Sequence, residues 1–340
     1  MLTIQYWQKD LAFAFPFTIS KGTKTHQSTF VVELGWRGLK GYGEAPAISY
    51  YNITTQQMAD DLEKYRTAIE KFSLTDPKRF WHFLHHLIPG NPFLVCALDM
   101  AAWDLFGKMR KQSLSKLLQL DTSHLPFTDY TIGIDSKEMM LHKVRQHQAP
   151  VYKIKVGGMH DLEIIEAVRN ESYAAIRVDA NAGWTYQQAK EMLPALSSLG
   201  VELIEQPLPV NHWSEMKELK SFSTIPLLAD ESCVNGKDID PCAESFHGIN
   251  IKLTKCSGIT PALDMIASAR KKGLKIMLGC MNESSIGTAA LIHLSPLVDY
   301  LDADGPLLLK EDLATGLVLE NHAWEIPVGP GLGIQLNNDL

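Results

Sequence analysis

The sequence predicts an α/β protein: a TIM-type (β/α)7β barrel with a smaller N-terminal α+β unit. Three observations predict it. Chemically loaded residues recur through the second half at a nearly constant interval: Lys155, Asp179, Glu205, Asp230, Lys255, Cys280 and the pair Asp302/Asp304, with steps of 24, 26, 25, 25, 25 and 22 residues. A strand, a helix and two connections occupy roughly 25 residues, so one such side chain falls at the same place in each βα unit. From about residue 129 strand patterns alternate with amphipathic helices, the mark of a parallel sheet. The first third instead reads as strands followed by helices.

The elements follow in order. Residues 1 to about 50 are extended, with Phe30-Val31-Val32-Glu33-Leu34 a strand, Arg37-Gly38-Leu39-Lys40-Gly41 a glycine-rich turn and Tyr42-Gly43-Glu44-Ala45-Pro46 closing the section. Between about 55 and 118 the pattern is helical, and Leu94, Ala97, Leu98, Ala101 and Leu105 define a buried face. The barrel strands are expected at Tyr130–Ile134, Tyr152–Val156, Ile176–Asp179, Val201–Glu205, Pro226–Asp230, Ile249–Leu253, Lys275–Leu278 and Val298–Leu301. One intervening helix is expected to start with Thr260 as N-cap and Pro261 at the first position, and to stop at Gly273. The tail Pro327-Val328-Gly329-Pro330-Gly331-Leu332-Gly333 does not follow a strand and open a helix, so it is no dinucleotide-binding loop. It is expected to pack back on the first unit. The division is then 1–120, 121–310 and 311–340.

Composition excludes several classes. The chain is 45% hydrophobic and 21% charged with a net charge of −7, which suits a globular protein and not a partner of nucleic acid. Its five cysteines are odd in number and scattered, as reduced thiols of a cytoplasmic protein would be. The start, MLTIQYWQKD, has no secretory pattern, and no 18-residue apolar run implies a membrane span.

Asp179, Glu205 and Asp230 each end an apolar strand, which puts them at the C-terminal mouth of the barrel, where sites of this architecture form. A single Asp there could simply cap a helix, but three acids in consecutive units need a common cause. Brought together they would repel, and a dication relieves that; carboxylate-only ligation suits Mg²⁺ rather than zinc. Lys153 and Lys155 share one side of their strand by its two-residue period, and Lys255 lies four strands round. An ordinary Lys, with pKa about 10.4, is no base at neutral pH; a cation and a second lysine would lower it. In the seventh unit Gly279 is read as letting backbone approach a ligand closely, and Cys280, with no base partner, as packing rather than attacking. Asp302 and Asp304 suit a substrate ammonium, with a loop turn Asp304-Gly305-Pro306 as the competing reading.

With these residues assembled, the chain resembles the enolase superfamily, in its muconate-lactonizing subgroup and the dipeptide epimerase branch. The resemblance rests on Lys153-Ile154-Lys155, Asp179-Ala180-Asn181, Glu205-Gln206-Pro207, Asp230-Glu231-Ser232 and Ile251-Lys252-Leu253-Thr254-Lys255, with Gly41–Pro46 similar to the turn of a capping domain and Ala97–Leu105 to its buried helix. It implies a capping domain completed by the C-terminal tail, Mg²⁺ on Asp179, Glu205 and Asp230, and 1,1-proton transfer through an enediolate. Lys155 and Lys255 would be the two bases, acting on the second residue of a dipeptide. Lys153, Thr131, Asn181, Cys280, Met281, Asp302, Asp304 and Lys24 would contact substrate or support the metal. Relatives acting on Ala-Glu carry an arginine after the first strand; Gly22 stands there, with Lys24 close by, so a hydrophobic or uncharged second residue is expected. The competing functions are o-succinylbenzoate synthase, muconate cycloisomerase and N-acylamino acid racemase, or, in another class, a Schiff-base aldolase. Oligomeric state is left open, a homo-oligomer being compatible.

Overall fold

A computed structural model describes residues 1–158 and 160–337. Three antiparallel strands open the chain, β1 (Thr3–Ile19), β2 (Gly22–Trp36) and β3 (Leu39–Pro46), in the order β1-β2-β3. The two-residue period of β2 divides its side chains: Phe30, Val32 and Leu34 join the core of this unit, and Val31 joins the barrel core. Helices α1 (Thr55–Glu70), α2 (Pro77–Leu87) and α3 (Pro92–Arg110) follow, capped by Thr54, Asp76 and Asn91. α3 is buried nearly all round because β3 lies directly on it. A Cβ at Gly43 would stand 2.0 Å from the Ala97 carbonyl oxygen, so the glycines of this turn are a condition of strand–helix contact.

Eight parallel strands form the second unit, hydrogen-bonded in chain order: β4 (Tyr130–Ile132), β5 (Val151–Lys155), β6 (Ala175–Asp179), β7 (Val201–Glu205), β8 (Leu227–Ala229), β9 (Gly248–Ile251), β10 (Lys275–Gly279) and β11 (Tyr300–Asp302). A parallel bridge from Thr128 to Leu301 joins the two edges and closes the barrel. The remaining α-helices are α4 (Leu114–Leu117), α5 (Lys137–Gln146), α6 (Asp161–Glu171), α7 (Tyr186–Ser198), α8 (Trp213–Phe222), α9 (Ile239–Ser245), α10 (Leu253–Cys256), α11 (Ile259–Lys271), α12 (Ser285–Leu294) and α13 (Gly305–Leu308). Leu203, Leu228 and Met277 pack together as a small cluster of their own.

Two expectations fail locally. The sixth barrel strand ends at Ile251, and the chain turns at once into α10, so Leu253 is helical rather than extended. α11 starts at Ile259 with Gly258 as its cap, and Thr260 is not the N-cap. The carboxylate of Asp99, from α3, takes that part instead: it accepts from Thr260 N at 2.9 Å and from Thr260 Oγ1 at 2.8 Å. A side chain from the first unit thus satisfies the helix end that local sequence left open. Gly273, at φ 71°, does lie just beyond the end of α11.

The tail runs over α3 and α4: Leu332 N donates to Asp104 Oδ1 at 2.8 Å and Leu114 N to Gly331 O at 2.8 Å. His293, buried on α12, fastens the same region. Its Nδ1 accepts from Ser115 N at 3.4 Å and its Nε2 donates to Leu332 O at 3.3 Å, an arrangement only the neutral ring can make. Burial lowers its pKa from 6.5 to about 4. The unfolded chain therefore binds this proton at a higher pH than the folded one. The resulting stability is complete above pH 6.5 and is lost as pH falls toward about 4, by up to about 3 kcal/mol. Urea melts at about pH 7.5 and about pH 5 should show a steeper loss in the natural protein than in His293→Gln. Equal slopes would refute the account.

Among the described residues no helix is long and apolar enough to cross a membrane. All five cysteines are free and buried.

Candidate active site

Strand register assembles the site. In the parallel ladders Thr131 pairs with Lys153, Lys155 with Asp179, and Asp179 with Glu205, while Gly279 pairs with Asp302. Asp230 follows Leu228, the partner of Glu205, by one two-residue period. Lys155, Asp179, Glu205 and Asp302 end their strands and Asp230 follows its own, while Thr131 and Lys153 stand one and two residues further in; all are buried.

A cavity of about 300 Å³ opens above them. Lys155, Asn181, Asp230, Glu231 and Lys252 line it on one side, and Thr131, Cys280, Met281, Asp302 and Asp304 on the other. The first unit covers it with Phe17, Ile19, Lys21 and Lys24 from the β1–β2 hairpin and with Tyr50 and Tyr51. Lys24 lines this cover, its Nζ donating to Gln27 Oε1 at 3.3 Å and its pKa lowered by burial.

Charge is dense beneath the cavity. Lys153 Nζ lies 2.6 Å from Asp302 Oδ2, 2.7 Å from Glu205 Oε2 and 3.5 Å from Asp179 Oδ2. Lys155 Nζ lies 2.5 Å from Asp179 Oδ2, and Lys252 Nζ 2.8 Å from Asp230 Oδ2. Burial would raise the Asp179 and Asp230 carboxyls, but these lysines, with Lys255 on Asp230, hold both below the usual range. Glu205 is pushed up to about 7, by burial first and then by Asp179. Burial works against the Lys153 and Lys252 ammoniums, yet the surrounding carboxylates raise both well above the lysine value.

Lys255 is the main correction. It does not line the cavity; its Nζ is bonded to Asp230 O at 2.6 Å, Asp230 Oδ1 at 2.5 Å and Asn250 O at 3.1 Å. Because β9 stops at Ile251, the residue at the mouth is Lys252, and α10 carries Lys255 behind Asp230. A signal for this was present. Asn250 Nδ2 donates to Glu205 Oε1 at 2.8 Å, so Asn250 faces inward, and the strand period then turns Lys252 inward as well. The 25-residue rhythm pointed three residues too far.

Other roles change too. Gly279 does not make room for a ligand: a Cβ there would stand 2.5 Å from Asn250 Oδ1, so the glycine makes room for the amide that holds Glu205. Cys280 Sγ lies 3.6 Å from Asp304 Oδ1 and 3.8 Å from Asp302 Oδ1, and burial plus those carboxylates push its thiol up, against any nucleophilic part. Asp302 is not free, being paired with Lys153. Burial would raise its carboxyl, but Lys153, Lys252 and Lys155 hold it at about 2. Asp304 Oδ2 accepts from Thr131 N at 2.6 Å, and burial together with Asp302 lifts that carboxyl to about 6. Sequence reasoning missed Lys21 and Glu231. Lys21 Nζ meets Glu231 Oε1 at 2.8 Å and lies 4.0 Å over the Tyr50 ring.

The donors fit a hard dication chemically. Asp179, Glu205 and Asp230 offer oxygen alone, and buried Asn181 Oδ1 accepts no hydrogen bond. Asn181 supports Asp179 through its backbone N (2.9 Å) and Nδ2 (3.3 Å). Each carboxylate is drawn to a lysine here; among the described residues the set whose ligand atoms all lie within 4.8 Å is Cys280, Asp302 and Asp304. A cation on the three acids would therefore take the place of ammonium groups as counter-charge.

Residues 1–119 match the family model for the mandelate racemase / muconate lactonizing enzyme N-terminal domain, and residues 136–340 that for the enolase C-terminal domain-like fold. The chain belongs to the enolase superfamily. Within it, an L-Ala-D/L-amino acid epimerase of Flavobacterium johnsoniae is 41% identical over 96% of this chain and 97% of its own length. A hydrophobic dipeptide epimerase of Roseobacter litoralis is 34% identical over 98% of each. The crystal structure of the Cytophaga hutchinsonii dipeptide epimerase, complexed with Mg and D-Ala-L-Val, superposes with a TM-score of 0.93 at 27% identity, covering 100% of this chain and 97% of that one. Relatives so close along the whole length are epimerases by name, which places this superfamily member among isomerases.

Proposed function

We propose that the protein is a Mg²⁺-dependent dipeptide epimerase that inverts the α-carbon of the second residue by two-base 1,1-proton transfer. The observation that carries this reading is the placement of Lys155 and Lys252. They end β5 and follow β9, four strands apart in an eight-stranded barrel, and both line one cavity with acids between them. Asp179, Glu205 and Asp230 would hold Mg²⁺, which would supply charge stabilisation for the substrate carboxylate. With those acids engaged, Lys155 and Lys252 would lose the carboxylates they pair with here, which frees both for the substrate. The neutral amine takes the proton from one face of the α-carbon, and the opposing ammonium returns one to the other. Lys153, buried among Glu205, Asp302 and Asp179, remains a fixed cation beside the developing charge. Asp302 and Asp304 receive the substrate ammonium.

A hydrophobic or uncharged second residue is supported by Phe17, Ile19 and Met281 in the cavity wall and by the neutralisation of Lys21 by Glu231. Lys24 favours the other reading, an acidic second residue, because its ammonium lines the cavity beside an amide oxygen alone.

Proton NMR of α-proton exchange in deuterated water, across an L-Ala-X library, decides among these. Turnover of Ala-Phe or Ala-Leu above Ala-Glu is expected, with Lys24→Met changing the hydrophobic substrates less than about threefold. Fastest turnover of Ala-Glu, lost in Lys24→Met, would establish the acidic preference. The double variant Asp302→Asn/Asp304→Asn should lower kcat/KM for dipeptides by about 10²-fold, as removal of charge-assisted bonds does. If it spares dipeptides, N-acylamino acid racemase becomes the better assignment.

A further inference from the structure

We infer that Gln206 is the positioning residue that sets the three carboxylates in mutual register, an inference that rests on the metal-dependent reading above. Gln206 directly follows Glu205 and is fully buried. Its Oε1 accepts from Asp230 N at 3.0 Å and from Ser232 N at 3.0 Å, and its Nε2 donates to Leu208 O at 2.8 Å and to Ser232 Oγ at 2.9 Å. Two backbone N–H groups aimed at one atom identify that atom as the amide oxygen. The main chain of the same residue reaches both neighbouring segments. Its N donates to Leu228 O at 2.8 Å, and its O accepts from Ala182 N at 2.8 Å in the loop after Asp179.

One residue therefore binds the segments that carry Asp179, Glu205 and Asp230. It does so at φ 37°, in the left-handed region that a non-glycine residue avoids, immediately before Pro207. Such a conformation persists where surrounding bonds over-determine it, and here both ends of the side chain are bonded. Neither near-isostere serves. Glu would turn an oxygen toward the Leu208 carbonyl, and Met would leave the Asp230 and Ser232 amides without an acceptor. Asp230 would then be free to shift relative to Glu205, which harms metal binding before it harms the fold.

Titration calorimetry of the full chain with Mg²⁺, paired with thermal melts, tests this. Gln206→Met should weaken the Mg²⁺ Kd by about 10- to 100-fold, the usual cost of losing a group that orients metal ligands. Ser232→Ala, which removes one bond of the clamp, should weaken it by at least about twofold. Trp103→Phe breaks the 3.0 Å bond to Thr260 Oγ1 between α3 and α11, which carry none of the three acids, and should lower Tm while leaving the Mg²⁺ Kd unchanged. Should Gln206→Met not fold, Ser232→Ala against Trp103→Phe carries the comparison. Variants at 206 and 232 that bind Mg²⁺ as the natural chain does, whatever their Tm, would overturn the role given to Gln206. A natural chain that binds no Mg²⁺ would end the metal-dependent reading as well.

Discussion

Lys252→Met abolishes epimerisation, with kcat lower by about 10³-fold or more, yet one epimer of the substrate still exchanges its α-proton with solvent. The asymmetry follows from geometry. Each lysine serves one face of the α-carbon, so removal of one leaves the other able to take and return a proton on its own side. Lys155→Met should show the mirror result, sparing exchange of the opposite epimer. Lys255→Met separates the two candidates for the second base. Its ammonium is spent on Asp230 O, Asp230 Oδ1 and Asn250 O, so its loss should lower Tm and weaken Mg²⁺ binding while both epimers continue to exchange. Loss of exchange from one epimer in Lys255→Met, with Lys252→Met active, would restore Lys255 as the base. Deuterium incorporation followed by NMR for each epimer separately is the decisive measurement.

Removal of divalent ions by EDTA should lower activity by about 10³-fold or more, with Mg²⁺ restoring it, because the charge developing on the substrate then loses its divalent counter-ion and keeps only that of Lys153. Glu205→Gln should make that loss permanent. The same change is expected to raise the Tm of the metal-free protein. Glu205 sits buried with Asp179 and Asp230 nearby, and its carboxyl is raised from 4.5 to about 7. A carboxyl raised in the folded state costs stability as pH climbs above its unfolded value of 4.5, where the unfolded chain ionises first, and the cost is complete above about 7. The gain from glutamine should accordingly be present at about pH 8 and small at about pH 5. Calorimetric melts of both proteins without metal, at both pH values, check the sign. Full activity in EDTA, or trapping of substrate by borohydride, would favour the Schiff-base aldolase instead.

Particular residues show how far the sequence could be read. The positions of Asp179, Glu205 and Asp230 followed from a repeat and an apolar run before each acid, because a barrel strand buries its length and frees its last residue. Lys153 and Lys155 followed from the two-residue period. The 25-residue interval does not place Lys255 at the cavity, because β9 ends at Ile251 and α10 carries Lys255 away from the mouth. Thr260 looked like a helix cap by local chemistry, but Asp99, 161 residues earlier in the chain, supplies that carboxylate. Lys21 reaches Glu231 across 210 residues, a pairing invisible to any local pattern.

Periodicity and the spacing of reactive groups, both properties of a linear chain, determined the repeat, the strand faces and the identity of the three acids. Tertiary structure alone decided where β9 stops, and so that Lys255 is locked behind Asp230. It also decided that Asn250 fills the space beside Gly279, and that Gln206 ties three segments together. The reason is physical: a strand period says which side a residue faces, but not where the strand stops or which distant atom satisfies a buried donor.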